Sequence, residues 1–119
     1  MTTPVYHIEI KEGADYSVTF TYEDPETTLP IDLTGYSAVM KVRQGYDGYA
    51  RLDVDLSFTP TLGGADGTVQ VLIPGSSTNN LMWTVGVYDV FLTSPAGRVT
   101  KLIGGFFVVI PSVTKVTYG

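Results

Sequence analysis

Apolar and polar residues alternate along most of this chain, which is the periodicity of β-strands that bury one face. The clearest run covers residues 16–22, YSVTFTY, where large side chains alternate with hydroxyls. Runs of similar character recur, and turn-forming residues separate nearly all of them. The predicted strands cover residues 5–10, 16–22, 36–43, 51–56, 68–73, 85–93 and 99–110.

Short strands with frequent turns predict an all-β fold, an antiparallel β-sandwich of about seven or eight strands. A tight hairpin is expected at Ser94-Pro95-Ala96-Gly97, between the last two strands. Helix is predicted to be minor, at most a turn or two over residues 76–82 with Ser76 or Ser77 as its cap. The length of 119 residues predicts one domain, with residues 1–4 and 113–119 as flexible or partner-bound ends.

Residues 29–36, LPIDLTGY, predict a stiff corner between two strands. Proline fixes the backbone at Pro30, Asp32 can cap a turn with its carboxylate, and Gly35 permits a positive φ. We therefore predict a rigid connection from one sheet to the other.

The last predicted strand contains Gly104-Gly105 within a long apolar run. Glycine weakens a strand and often marks a bulge or a bend. The pair predicts a kink, at which the strand could cross between sheets.

Two predicted strands are apolar on both faces, which an isolated sandwich does not require. In the strand over residues 85–93, the face that carries Tyr88, Val90 and Leu92 suits the core. The opposite face carries Val85, Val87 and Phe91, and the final strand repeats the pattern. Exposed apolar surface of this kind usually contacts a partner, so these three residues are predicted interface positions.

Composition excludes several kinds of chemistry. The chain has no cysteine, which removes disulfides, thiolate metal sites and cysteine nucleophiles. Its net charge is −5 with scattered cations, which disfavours nucleic acid and anionic membranes as partners. No signal segment or apolar run of about 20 residues is present, so we expect a soluble chain.

Candidates for catalysis and metal binding are few. His7 has no nucleophile at a triad-like spacing, and we predict that it lies at the surface or an interface. Asp53 and Asp55 share a strand face but resemble a solvated side more than a catalytic pair. With Asp47 and Asp66 they could form a calcium site, but the spacing of known calcium loops is missing. We expect no enzyme activity, metal or cofactor.

Tyrosines near a glycine turn are the better candidates for binding. Tyr46 and Tyr49 flank Asp47-Gly48, and loop tyrosines provide flat contact area for a protein or a sugar. They could equally fold back over the core edge. Trp83 is expected to close one end of the sandwich, and in a carbohydrate-binding module it could join both tyrosines as a stacking platform.

The corner at residues 30–36 also carries a family resemblance. Together with residues 36–43, with Gly86-Val87-Tyr88-Asp89-Val90 and with residues 97–108, it resembles small immunoglobulin-like β-sandwich proteins of tailed bacteriophages. The likeness covers nearly the whole chain, and the run Ile-Asp-Leu-Thr-Gly is its most distinctive part.

The resemblance implies a non-enzymatic structural protein of the virion. A tail, collar, baseplate or fibre-adaptor component is expected first, and a capsid decoration protein is the alternative. The expected partners are other virion proteins and copies of the chain itself, in a homo-oligomer. The protein would be made in the bacterial host cytoplasm and would reside in the virion.

Overall fold

The computed structural model describes residues 5–46, 49–50, 56–79 and 84–113, without side chains at 45–46 and 49–50. This part of the chain contains nine strands and two single 3₁₀ turns. The predicted ends fall outside it except Val113, which is exposed. The strands are β1 (Ile8–Lys11), β2 (Tyr16–Thr21), β3 (Ser37–Tyr46), β4 (Tyr49–Ala50), β5 (Leu56–Phe58), β6 (Thr61–Leu62), β7 (Thr68–Ile73), β8 (Val85–Thr93) and β9 (Val99–Ile110).

The strands form two sheets packed as a sandwich. The larger sheet has the order β1-β9-β8-β3-β4, with β5 also on β3, and the smaller sheet has the order β2-β7-β6. All pairings are antiparallel except β1 with β9, which is parallel. The orders β2-β7-β6 and β9-β8-β3 are those of strands B-E-D and G-F-C in an immunoglobulin domain. The predicted all-β immunoglobulin-like sandwich is confirmed, with more strands than predicted because β4 and β6 are two-residue pieces.

The core lies between the sheets and follows the alternation of the sequence. In β2 Tyr16, Val18 and Phe20 are partly buried against the core and the hydroxyls between them are exposed, as predicted. No disulfide joins the sheets, since the chain lacks cysteine. The core is instead aliphatic and aromatic, and its fully buried members include Ile8, Ile10, Leu33, Met40, Val42, Val69, Val71, Ile73, Val90, Leu92 and Phe107.

The corner at residues 29–36 connects the smaller sheet to the larger one, as predicted. The Asp32 carboxylate accepts hydrogen bonds from the Thr34 amide at 2.9 Å and the Thr34 hydroxyl at 2.6 Å. These bonds lower the pKa of Asp32, because they favour the ionised form. Gly35 has a φ of +82°, and a Cβ there would lie 2.9 Å from Pro95 Cγ. The corner therefore packs directly on the Ser94–Gly97 hairpin turn, which is also formed as predicted.

The irregularity of β9 is not where the glycine pair predicted it. The register against β8 shifts between Val90, which pairs with Ile103, and Phe91, which pairs with Lys101. The extra residue is Leu102, two positions before Gly104. The strand does not change sheets, since β9 pairs with β1 and β8 over its length. The prediction that the pair could mark a crossing between sheets is therefore wrong, and Gly105 serves a different contact, described below.

The predicted helical turn is a 3₁₀ turn at Gly75–Ser77, one residue earlier than expected. It follows Pro74 and has no side-chain cap, so the predicted serine cap is wrong. Instead, the Gly75 amide donates to Asp15 Oδ1 at 2.8 Å, and the Gly13 amide donates to the buried Thr78 hydroxyl at 3.0 Å. These two bonds fasten the β1–β2 turn to the segment after β7. Residues 80–82 lie outside the described part of the chain.

Candidate protein-binding face

The two faces of β8 differ as the sequence predicted. Tyr88, Val90 and Leu92 point into the core and are at most 4% exposed. Val85, Val87 and Phe91 lie on the opposite side and are only half-buried. We call the outward side of β3, β8 and β9 the outer face.

Strand register gathers further apolar side chains on the outer face. Val87 lies opposite Phe106 and Val85 lies opposite Val108, and both partners on β9 are half-buried. Together Val85, Val87, Phe91, Phe106 and Val108 form what we call the apolar row. Val39 on β3, which is 38% exposed and pairs with Phe91, extends it toward the hairpin turn. The predicted interface residues on β8 are thus part of a larger surface.

An open depression of about 610 Å³ lies on the outer face. Val87, Phe91 and Phe106 supply apolar lining, while Asp89 lies opposite Lys41 on the neighbouring strand. The Lys41 Nζ donates to Ser57 Oγ at 2.9 Å. The other charged residues that line the depression are Arg43 and Lys101. The depression thus combines aromatic area with groups that make directional polar contacts.

His7 lies at the edge of the outer face and is exposed, as predicted. Its ring stacks on Phe106, with centroids 5.2 Å apart, and its Nδ1 accepts a hydrogen bond from the Phe106 amide at 3.0 Å. The accepting nitrogen carries no proton, so the bond fits a neutral ring with its hydrogen on Nε2. His7 therefore substitutes for a backbone carbonyl and holds Phe106 in place.

The contact beside His7 explains the glycine at position 105. The Tyr6 carbonyl accepts from the buried Tyr88 hydroxyl, and a Cβ on Gly105 would lie only 2.5 Å from that carbonyl oxygen. The predicted strand over residues 5–10 is interrupted at this point. It reduces to a bridge between Val5 and Gly104 and then β1, which starts at Ile8. Gly105 thus allows close approach of the N-terminal segment, whereas a Cβ on Gly104 would lie 3.1 Å from the Tyr88 carbonyl oxygen.

Three tyrosines meet between the sheets at this point. Burial, followed by a hydrogen bond with Tyr6, raises the pKa of Tyr16 to about 12. Burial and the neighbouring tyrosines also raise the pKa of Tyr88 well above its ordinary value. Tyr6 packs edge-on against Phe20 at 5.3 Å. The Tyr16 and Tyr88 hydroxyls stay protonated at neutral pH, so they are hydrogen-bonding groups that join β2 and β8 to the segment before β1.

The remaining predicted sites are described in part. The backbones of Tyr46 and Tyr49 pair across the β3–β4 hairpin, but their side chains lie outside the described residues. Asp47, Asp53, Asp55 and Trp83 also lie outside them. Asp66 is exposed in the 3₁₀ turn at Gly64–Asp66. Within the described ranges, no three histidine or acidic side chains are grouped so that they could hold a metal ion.

Sequence reasoning did not single out the cations of the outer face or the role of His7. The signal for Lys41 and Arg43 was present, because they alternate with the buried Met40 and Val42 in β3. The position of Lys101 could not be read in this way, since the extra residue Leu102 breaks the alternation of β9. The contact of His7 with Phe106 joins positions 99 residues apart and leaves no local signal.

Comparison with known proteins adds little to this description. No family model and no curated protein match the chain. Among solved structures, the chain is similar to extracellular domains 3–5 of Drosophila OTK, with 21% identity and a TM-score of 0.42. That match covers 94% of this chain and 34% of the other, so the chain spans about a third of the structure's length. In the described part of the chain, no helix is long and apolar enough to span a membrane.

Proposed function

We propose that this chain is a non-enzymatic structural protein of a tailed phage virion, in a tail, collar, baseplate or fibre-adaptor position. It assembles by protein–protein contacts through the outer face. The observation that carries the proposal is the apolar row, where five large side chains of two adjacent strands stand half-buried outside the core. The sequence resemblance of residues 30–36 to phage β-sandwich proteins supplies the virion setting.

The composition of the outer face favours a protein partner. Protein interfaces combine an apolar, partly aromatic centre with a polar margin, and arginine is frequent in them. Phe91 and Phe106 provide the aromatic area, while Lys41, Arg43 and Asp89 provide the polar groups. The depression is open, which suits a protuberance or loop of a folded partner.

The outer face of the smaller sheet offers an internal contrast. β2 presents Ser17, Thr19 and Thr21 there, and Gln70 of β7 donates to the Ser17 hydroxyl. Leu72 is a lone large apolar residue on this side, 59% exposed. Single exposed apolar residues are common on any protein, whereas a row across two strands calls for a partner.

The proposal is tested by locating the protein on the particle. Phage particles released by the host that carries the gene are labelled with an antibody against the chain and viewed by negative-stain microscopy. We expect label at the tail, the collar or the fibre attachment site. Label spread over the head would assign capsid decoration instead, and particles without label would overturn the virion role.

A further inference from the structure

The charge of the outer face is opposite to that of the whole chain. The described residues include five cations, and three of them line the depression, namely Lys41, Arg43 and Lys101. They also include nine acidic residues, of which Asp89 alone lines it. The depression therefore carries three positive charges and one negative charge on a protein whose net charge is −5.

Acidic residues gather on two loops that are bonded to each other. The loop between β2 and β3 and the loop between β6 and β7 are joined by a bond from the Leu33 amide to the Gly64 carbonyl at 2.9 Å. A second bond runs from the Tyr22 amide to the Gly67 carbonyl at 2.8 Å. We call these two segments the acidic loops, because they carry Glu23, Asp24, Glu26, Asp32 and Asp66.

The charge pattern disfavours two outer faces packing against each other. In a two-fold contact the same patch meets itself, so the three cations of one copy would approach those of the other. Like charges brought together in a desolvated interface oppose binding and select against that pairing. The apolar row therefore needs a partner that brings acidic groups with it.

Resting on the proposed function, we infer that the outer face of one copy binds the acidic loops of a second copy. The contact is heterologous, since it joins two different surfaces. Repetition of such a contact produces a ring when the rotation closes and a filament when it does not. Either product suits a repeating position in a virion tail. Phe91 and Phe106 supply apolar contact, and the cations pair with the loop carboxylates.

Two double variants separate the two halves of this contact. The face variant combines Lys41→Glu with Lys101→Glu, and the loop variant combines Glu23→Lys with Glu26→Lys. Lys11→Glu with Arg98→Glu is the control for the face variant, because it changes the net charge equally at cations that do not line the depression. Circular dichroism and thermal unfolding verify that all of them fold.

Sedimentation velocity of the full chain then measures self-association. We expect wild type and control to associate, and high salt to weaken the association because screening reduces charge attraction. Each double variant alone should show a Kd raised at least about tenfold. An equal mixture of the two variants should associate again, because the intact face of the loop variant meets the intact loops of the face variant, and the glutamates of the altered face meet the lysines of the altered loops.

Other results would overturn the inference. A loop variant that associates like wild type would place the contact elsewhere, and so would a mixture that forms no complex. If the control variant lost self-association as the face variant does, the loss would be due to the change in net charge alone. A wild-type chain that stays monomeric would exclude self-association, while label on the particle would still support the virion role with a different partner.

Discussion

Thr78 is fully buried although its side chain is polar. Its hydroxyl accepts from the Gly13 amide at 3.0 Å and donates to the Gly75 carbonyl at 3.3 Å. Thr78→Val keeps the shape but removes the buried hydroxyl that accepts from the Gly13 amide. We expect a loss of about 1–3 kcal/mol in the free energy of unfolding, measured with urea.

Thr19→Val is the matched control for this substitution. Thr19 is exposed on the outer side of β2, so the same change there should alter stability little. Equal urea midpoints for the two variants would contradict the role assigned to Thr78.

The tyrosine cluster predicts alkaline instability. The pKa of Tyr16 is raised to about 12 in the folded chain, whereas an unfolded tyrosine titrates near 10. Below pH 10 both states hold the proton, and between pH 10 and 12 the unfolded state releases it first. The free energy of unfolding should therefore fall as pH rises through this range.

Tyr16→Phe tests which group is responsible. Urea unfolding at several pH values should give a shallower decline above pH 10 for this variant than for wild type. The decline should not vanish, since Tyr88 also has a raised pKa. If the free energy of unfolding fell equally steeply with pH in the variant and in wild type, Tyr16 would have the same pKa in the folded and the unfolded chain, which would contradict this prediction.

At the scale of the element, the N-terminal segment depends on Gly105. A methyl group there would lie 2.5 Å from the Tyr6 carbonyl oxygen, which is backbone and cannot rotate away. We expect Gly105→Ala to lower the free energy of unfolding by about 2 kcal/mol or more. It should also speed hydrogen exchange at the backbone amides of Ile8 and Ile10. Unfolding and exchange measurements together test this.

His7→Ala is a milder change in the same segment. It removes the acceptor of the Phe106 amide at an exposed position, where water can replace it. The free energy of unfolding should therefore fall less for His7→Ala than for Gly105→Ala. If Gly105→Ala left both stability and exchange unchanged, the proposed close contact would be wrong.

Strand positions were predictable because the alternation of apolar and polar residues can be read from neighbouring positions in the sequence. Residues 68–73, 85–93 and 99–110 are strands with the predicted bounds. The corner at residues 29–36 was equally readable, because proline, a turn carboxylate and glycine act on their own backbone.

The features that were not predicted depend on distant partners. The parallel pairing of β1 with β9 joins residues about a hundred positions apart. The extra residue Leu102 and the 3₁₀ turn at Gly75–Ser77 reflect how neighbouring strands and turns fit together. The interface prediction at Val85, Val87 and Phe91 placed the side chains on the correct face, and their contact with a partner stays a prediction.

At the scale of the whole molecule, one sheet covers the core with a polar exterior and the other carries the apolar row. We therefore expect the outer face to be one of the surfaces that a partner covers. Phe91 lies within the depression on that side, while the inward residues of β8 form the core. A charge at Phe91 should therefore remove binding without unfolding the chain.

The most direct test is the amount of the protein in purified phage particles when the only supplied copy is Phe91→Asp. Leu72→Asp, on the outer face of the smaller sheet, is the matched control. We predict wild-type incorporation for the control and a loss of at least about tenfold for Phe91→Asp, as expected for a buried aromatic anchor. Incorporation of folded Phe91→Asp at the wild-type level would contradict the claim that the outer face assembles this protein into the virion.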